Sequence, residues 1–112
     1  MRLITQTLKS SLPAIGETDG TEAGDIVIRA KFFALGSAAT WLIAEYDAED
    51  HIVFCYADLF GQGTFGGAEW GYSSVSEMES VMFGPIPRIE RDIHFTPRPF
   101  RECIDKEGRI IV

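Results

Sequence analysis

The sequence predicts an α+β fold: a mainly antiparallel sheet of four to five strands with two short helices packed on one side. Three observations carry this expectation. Apolar residues recur at helical spacing ahead of Pro13, period-two segments joined by short turns fill the middle of the chain, and a capping-box spelling follows the last of them. With 112 residues, 46% hydrophobic and 24% charged, the chain can bury one core, and residues 1–112 read as a single domain.

Ile4, Leu8 and Leu12 lie at intervals of four and Pro13 follows, so residues 4 to 12 form a short helix with one apolar stripe. Gly16 to Gly24 holds three glycines and three acids, the composition of an exposed loop. The period then changes. Ile26, Ile28, Ala30 and Phe32 share one parity while Arg29 and Lys31 share the other, which makes 26 to 34 the first strand. Gly36 and Ser37 turn the chain into a second strand over Thr40 to Tyr46, and the polar break from Asp47 to Asp50 leads into a third over His51 to Ala57. These two form a hairpin. A loop of four or of five residues puts different side chains of the second strand on the face of Phe54, and the spacing leaves both registers open.

Phe60 to Gly67 is a glycine-rich loop, and Ala68 to Ser73 is short and aromatic enough to be a fourth strand. In Ser74-Val75-Ser76-Glu77 the Ser74 hydroxyl can accept from the Glu77 amide, the signature of a helix start. Val75, Met78 and Met82 then form one core-facing stripe on a helix ending near Phe83, where Gly84 and Pro85 stop it. Prolines at 85, 87, 97 and 99 bracket Arg91 to Phe95, whose alternation suggests a short edge strand. The last ten residues read as frayed.

Several chemistries are disfavoured. Gly61-Gln62-Gly63-Thr64-Phe65-Gly66 spells G-x-G-x-x-G, but a strand rather than a helix follows it, and no lysine lies between Lys31 and Lys106 to hold phosphates. His51 and His94 have no second ligand at zinc spacing, and the hairpin acids lack the glycine and terminal glutamate of a calcium loop. Asp92 and His94 share a strand face and could orient one another, yet no nucleophile motif accompanies them. Cys55 in an apolar run and Cys103 in a charged tail read as two reduced thiols. With no signal-peptide core, no membrane span and no cofactor motif, the expectation is a cytoplasmic, non-enzymatic protein that binds neither metal, cofactor nor membrane.

Charge is the feature that stands out. The chain carries ten basic and seventeen acidic residues, a net −7, which argues against direct nucleic-acid binding. Residues 32 to 87 contain no lysine or arginine and hold Glu45, Asp47, Glu49, Asp50, Asp58, Glu69, Glu77 and Glu79. Such a single-sign field can steer a basic partner, so these eight acids are the candidate partner-binding surface.

The chain resembles the DUF2958 family of unknown function over nearly its whole length. The resemblance rests on the leucine helix ending in Leu12-Pro13, on Lys31-Phe32-Phe33, and on W-L-I-A-E-Y-D from Trp41. It continues through F-C-Y-A-D-L from Phe54, E-W-G-Y-S-S-V-S-E-M-E-S from Glu69, and Ile89 to Phe95. Ser73 stands where the family more often has an aromatic residue. The resemblance carries no catalytic residue with it. It implies a setting of plasmids, phages and other mobile elements, beside anti-restriction and replication genes. Charge and setting together lead to the expectation of a small acidic protein-binding module, a DNA-mimic anti-restriction or anti-CRISPR inhibitor of a basic host defence nuclease. The alternatives are a small enzyme acting on a nucleotide or sugar, with a pocket near His94 and Asp92 or the Gly61 to Gly67 loop, and an accessory protein of plasmid maintenance that self-associates through Trp70 and Tyr72.

Overall fold

The computed structural model describes residues 2–112. The helix α1 spans Gln6–Ser11, with Thr5 accepting from the Leu8 amide as its cap, and Leu8 and Leu12 lean on the core. The strands are β1 (Val27–Ile28), β2 (Ala30–Ala34), β3 (Thr40–Asp47), β4 (Ile52–Asp58) and β5 (Glu69–Ser74). After α2 (Val75–Ser80) come β6 (Met82–Phe83), β7 (Ile86–Pro87), β8 (Ile89–Arg91) and β9 (Arg98–Pro99). The main sheet is antiparallel with five strands in the order β5-β4-β3-β2-β8. This is the predicted α+β class.

Both faces of the sheet are buried, and alternation along the strands sorts the side chains between them. Ala30, Phe32, Trp41, Ile43, Val53 and Cys55 meet Val75 and Met78 of α2 and Leu3 and Ile4 on the helical side. Leu42, Ala44 and Tyr56 meet Ile26, Ile28, Phe100 and Cys103 on the other. Fully burying a side chain such as Phe32 or Leu42 contributes roughly 2–3 kcal/mol, so losing either layer would unfold the chain. The C-terminal segment supplies much of the second layer, which corrects the expectation that the last ten residues fray. Ile104 bridges Ile110, the Ile111 amide donates to the Cys103 carbonyl, and the Tyr56 hydroxyl donates to the Gly108 carbonyl at 2.7 Å. The two cysteines are free and lie in different layers, Cys55 on the helical side and Cys103 on the other.

Three further expectations are corrected. The strand expected over 26 to 34 breaks at Arg29: β2 stays in the main sheet while β1 pairs with β9. The break lies across from a bulge at Ala44, where the β3–β4 register shifts between Ile43 and Glu45 and the ladder is interrupted. The helix expected to reach Phe83 ends at Ser80, because Met82 and Phe83 pair with Pro87 and Ile86 around Gly84, whose φ of +63° closes the turn. Met82 is therefore 50% exposed rather than core. The edge strand is Ile89–Arg91, not Arg91 to Phe95: Asp92 accepts from the His94 amide and turns the chain outward, leaving Ile93 72% exposed.

The hairpin register is settled by the same bulge. The loop has four residues, with Asp47 opposite Ile52 and Glu45 opposite Phe54. Beyond Ala44 the parity reverses, so Tyr46 joins Trp41 and Ile43 in packing on the helical side.

Candidate functional site

The acidic hairpin closes through His51, the one non-glycine residue at positive φ (55°) among the described residues. The Asp47 carboxylate accepts from the Glu49 amide at 2.9 Å and the Asp50 amide at 3.5 Å, tightening the loop so that Glu49 and Asp50 stand exposed. Behind it the parity reversal at Ala44 brings Tyr46 beside His51. The Tyr46 hydroxyl lies 2.6 Å from His51 Nδ1, His51 Nε2 lies 3.4 Å from Glu79 Oε1, and Glu79 Oε2 accepts from the Leu3 amide at 2.7 Å. Burial raises the pKa of Tyr46, and Glu79 and Asp47 push the same way. The chain of contacts fastens the N-terminal segment, the hairpin and α2 together.

Two of the eight acids singled out in the sequence, Glu45 and Asp58, are buried, which corrects their assignment to a binding surface, and a third, Glu79, is half-buried and held by the Leu3 amide and His51. Glu45 is buried and accepts from the Gly16 amide at 2.9 Å, the Thr18 amide at 2.7 Å and the Thr18 hydroxyl. Asp58 is buried and accepts from the Gly61 amide at 2.9 Å and the Gly63 amide at 3.0 Å. Glu79 belongs to the histidine contact. The physical reason is common to all: a carboxylate removed from water must be met by hydrogen-bond donors in place of its hydration, and here loop amides and a histidine face these carboxylates.

Of the rest, Asp47 is half-buried and Glu49, Asp50, Glu69 and Glu77 are exposed. The hairpin gathers Asp47, Glu49 and Asp50, and Glu77 follows nearby because the Val75 amide donates to the His51 carbonyl. Glu69 sits apart, opposite Ala57 at the far end of β5, about 16 Å along the strand from Ser74. One acid missed in the sequence, Glu17, joins the hairpin. Where β2 leaves β3, residues 13–18 take its place: the Tyr46 amide donates to the Pro13 carbonyl and Glu45 holds Gly16 and Thr18. A cavity of about 550 Å³ then has Glu17 and Asp47 in its walls together with Lys9. The signal in the sequence was Glu45 itself, a carboxylate inside the apolar run Trp41 to Tyr46 that needed donors from elsewhere.

The glycine spelling has a structural explanation. Gly63–Gly66 is a 3-10 turn, and the amides a phosphate would need are occupied by Asp58. Asp92 serves the His94 backbone and Lys31, 3.7 Å away, rather than the His94 ring. Trp70 is half-buried, stacked on Phe54 at 5.1 Å and tilted against Phe100, so of the two aromatics expected at the β5 edge Tyr72 is the exposed one. No helix among the described residues is long and apolar enough to cross a membrane.

In comparison with known proteins, a family described as protein of unknown function (DUF2958) matches residues 3–106. No curated protein and no solved structure matches the chain.

Proposed function

We propose, for a chain that belongs to the DUF2958 family of proteins of unknown function, a non-enzymatic role as a binding module that meets a basic protein partner with its acidic hairpin end. The observation that carries this reading is the clustering of unpaired acids in the hairpin turn. The acids paired with a lysine or arginine are Asp92, Asp25, Asp105 and Glu107, and Glu79 is paired with His51. Asp47, Glu49, Asp50, Glu17 and Asp19 have no such partner among the described residues, and neither do Glu22, Glu69, Glu77, Glu90 and Glu102 elsewhere; what sets the hairpin apart is that Asp47, Glu49 and Asp50 lie together in one turn. Like charges held together at one end raise the free energy of the isolated protein and are relieved when a basic surface covers them.

A partner surface evolved for phosphates fits this chemistry, which makes a restriction or CRISPR component in the cytoplasm of a host cell, with the protein acting as a DNA mimic from a mobile element, the concrete form of the proposal. Glu49 and Asp50 project from a rigid turn, while Glu17 and Asp19 are presented by the loop that Glu45 holds.

The test is competition. Duplex DNA bound to a panel of restriction and CRISPR nucleases is titrated with native protein and with a Glu17→Lys, Glu49→Lys, Asp50→Lys variant, which spares Asp47 because it holds the turn. Native protein is expected to displace DNA from at least one nuclease at about 50 mM salt and to lose that ability several-fold by about 200 mM. Equal displacement by the folded variant, or none by the native protein from any member of the panel, would sink the reading.

A further inference from the structure

Independently of the acidic end, α1 and the chain around β2 and β8 enclose a groove of about 320 Å³ whose walls include Thr5, Thr7, Leu8, Arg29, Arg91 and Phe95. Its polar groups are almost all donors. Arg29 takes part in no ion pair, and its Nε is buried without a hydrogen-bond partner, the one such buried side-chain atom among the described residues. Arg91 donates through Nη1 to the Leu3 carbonyl at 2.8 Å, which leaves its second amino group unused. Thr5 accepts from the Leu8 amide through Oγ1, so its hydroxyl proton remains available.

The one carboxylate in the wall is already committed. Asp92 accepts from the His94 amide at 2.9 Å and faces Lys31 at 3.7 Å. Neither guanidinium forms an ion pair, in a chain whose net charge is −7. Holding a guanidinium partly desolvated with no acceptor is costly, and an apolar residue of similar length would relieve that cost. The arrangement therefore makes sense as recognition rather than as stability.

We propose that this groove binds a small organic oxyanion, a carboxylate or phosphate ester on a compact apolar body, with Arg29 as the principal anchor. Arg29 offers a planar guanidinium suited to paired oxygens, Arg91 adds a single donor through its unused amino group, and the Thr5 and Thr7 hydroxyls can fill the remaining lone pairs. Leu8, Ala30 and Phe95 receive the apolar part, and the exposed Ile93 flanks it. The volume suits a single ring or a short chain.

Benzoate, phenyl phosphate and inorganic phosphate are titrated into isotopically labelled protein, following amide resonances. At least one organic probe is expected to shift Thr5, Thr7, Arg29 and Arg91 saturably, and which of the two does so distinguishes carboxylate from phosphate ester. Inorganic phosphate should bind at least tenfold more weakly, because it leaves the apolar wall unused. Arg29→Met should weaken binding about 10- to 100-fold, the effect of losing a charge-assisted pair. Arg29→Lys, which keeps the charge and loses the fork, should weaken it as well and serves if the Met variant does not fold. The proposal is overturned if neither organic probe gives saturable shifts at millimolar concentration, if inorganic phosphate binds equally well, or if folded Arg29 variants bind as native protein does.

Discussion

Replacing Glu45 by Gln keeps the shape of the side chain and removes its charge, and the expected result is a loss of about 3 kcal/mol together with release of residues 16–18 from β3. The carboxylate accepts three hydrogen bonds, from the amides of Gly16 and Thr18 and from the Thr18 hydroxyl. A hydrogen bond to a charged acceptor contributes roughly 1.5–3 kcal/mol. Glutamine retains one oxygen for part of this set and points an NH2 group at a remaining amide, donor against donor, so one to two charge-assisted bonds are lost, roughly 2–5 kcal/mol. The loop limits the upper end, because it can detach and hydrate its amides. At 112 residues, 3 kcal/mol corresponds to a Tm lower by about 12 °C. Urea denaturation at neutral pH measures the loss, and hydrogen exchange locates it: the Gly16 and Thr18 amides should exchange about 100-fold faster while those of β4 slow-exchange as before. A change below about 0.5 kcal/mol with both amides still protected would refute the claim that Glu45 holds the loop.

Three other perturbations separate the parts of the fold. Gly63→Ala should cost more than about 2 kcal/mol in urea denaturation, since φ is +59° there and a Cβ would come within 2.3 Å of the Glu107 carbonyl oxygen, backbone that cannot yield. A near-neutral result would mean that the C-terminal segment is not seated against the glycine loop. Met78→Ala should cost about 2–4 kcal/mol and Met82→Ser less than about 0.5, because only the first fills the core; equal costs in denaturation would contradict the early end of α2. Burial pushes the thiols of Cys55 and Cys103 up to about 11, so iodoacetamide should label native protein at pH 8 far more slowly than unfolded protein. A raised pKa contributes stability below the ordinary value near 9 and loses it as pH rises through 11, so denaturation midpoints should fall across that window, less steeply in Cys55→Ala.

The features legible in the sequence are those set by local periodicity or local capping. Ala30 and Phe32 share the helical face of the sheet as their parity predicts, although Ile26 and Ile28, of the same parity, are buried in the opposite layer because the strand breaks at Arg29; Ser74 accepts from the Glu77 amide as the capping box requires. Where the reading failed, a distant segment decided the outcome. Met82 keeps helical spacing from Val75 and Met78, but Gly84 and Pro85 offer a hairpin whose partner strand, Ile86–Pro87, takes the residue out of the helix. The C-terminal residues have too little periodicity to announce a strand. They are ordered by a sheet face that Leu42, Ala44 and Tyr56 leave apolar, a property of the fold rather than of residues 103–112.

The same distinction governs the candidate surface, where counting charge along the chain both overstated and understated it. Glu45 and Asp58 occupy strand positions where a desolvated carboxylate persists only with donors around it, and each draws a loop onto itself: residues 16–18 in one case, Gly61 and Gly63 in the other. The first of these loops delivers Glu17 to the hairpin as Glu45 is removed from the surface, so an internal acid builds the external patch it does not join. Charge reversal at Glu45 is for that reason a poor test of partner binding, because its effect passes through the loop and through stability. Reversal at Glu49, exposed on a turn held by Asp47, changes the field at the hairpin with little change in the fold. Partner affinity that falls in Glu49→Lys at unchanged Tm identifies the electrostatic contribution, and affinity that falls only in variants with lowered Tm identifies unfolding instead.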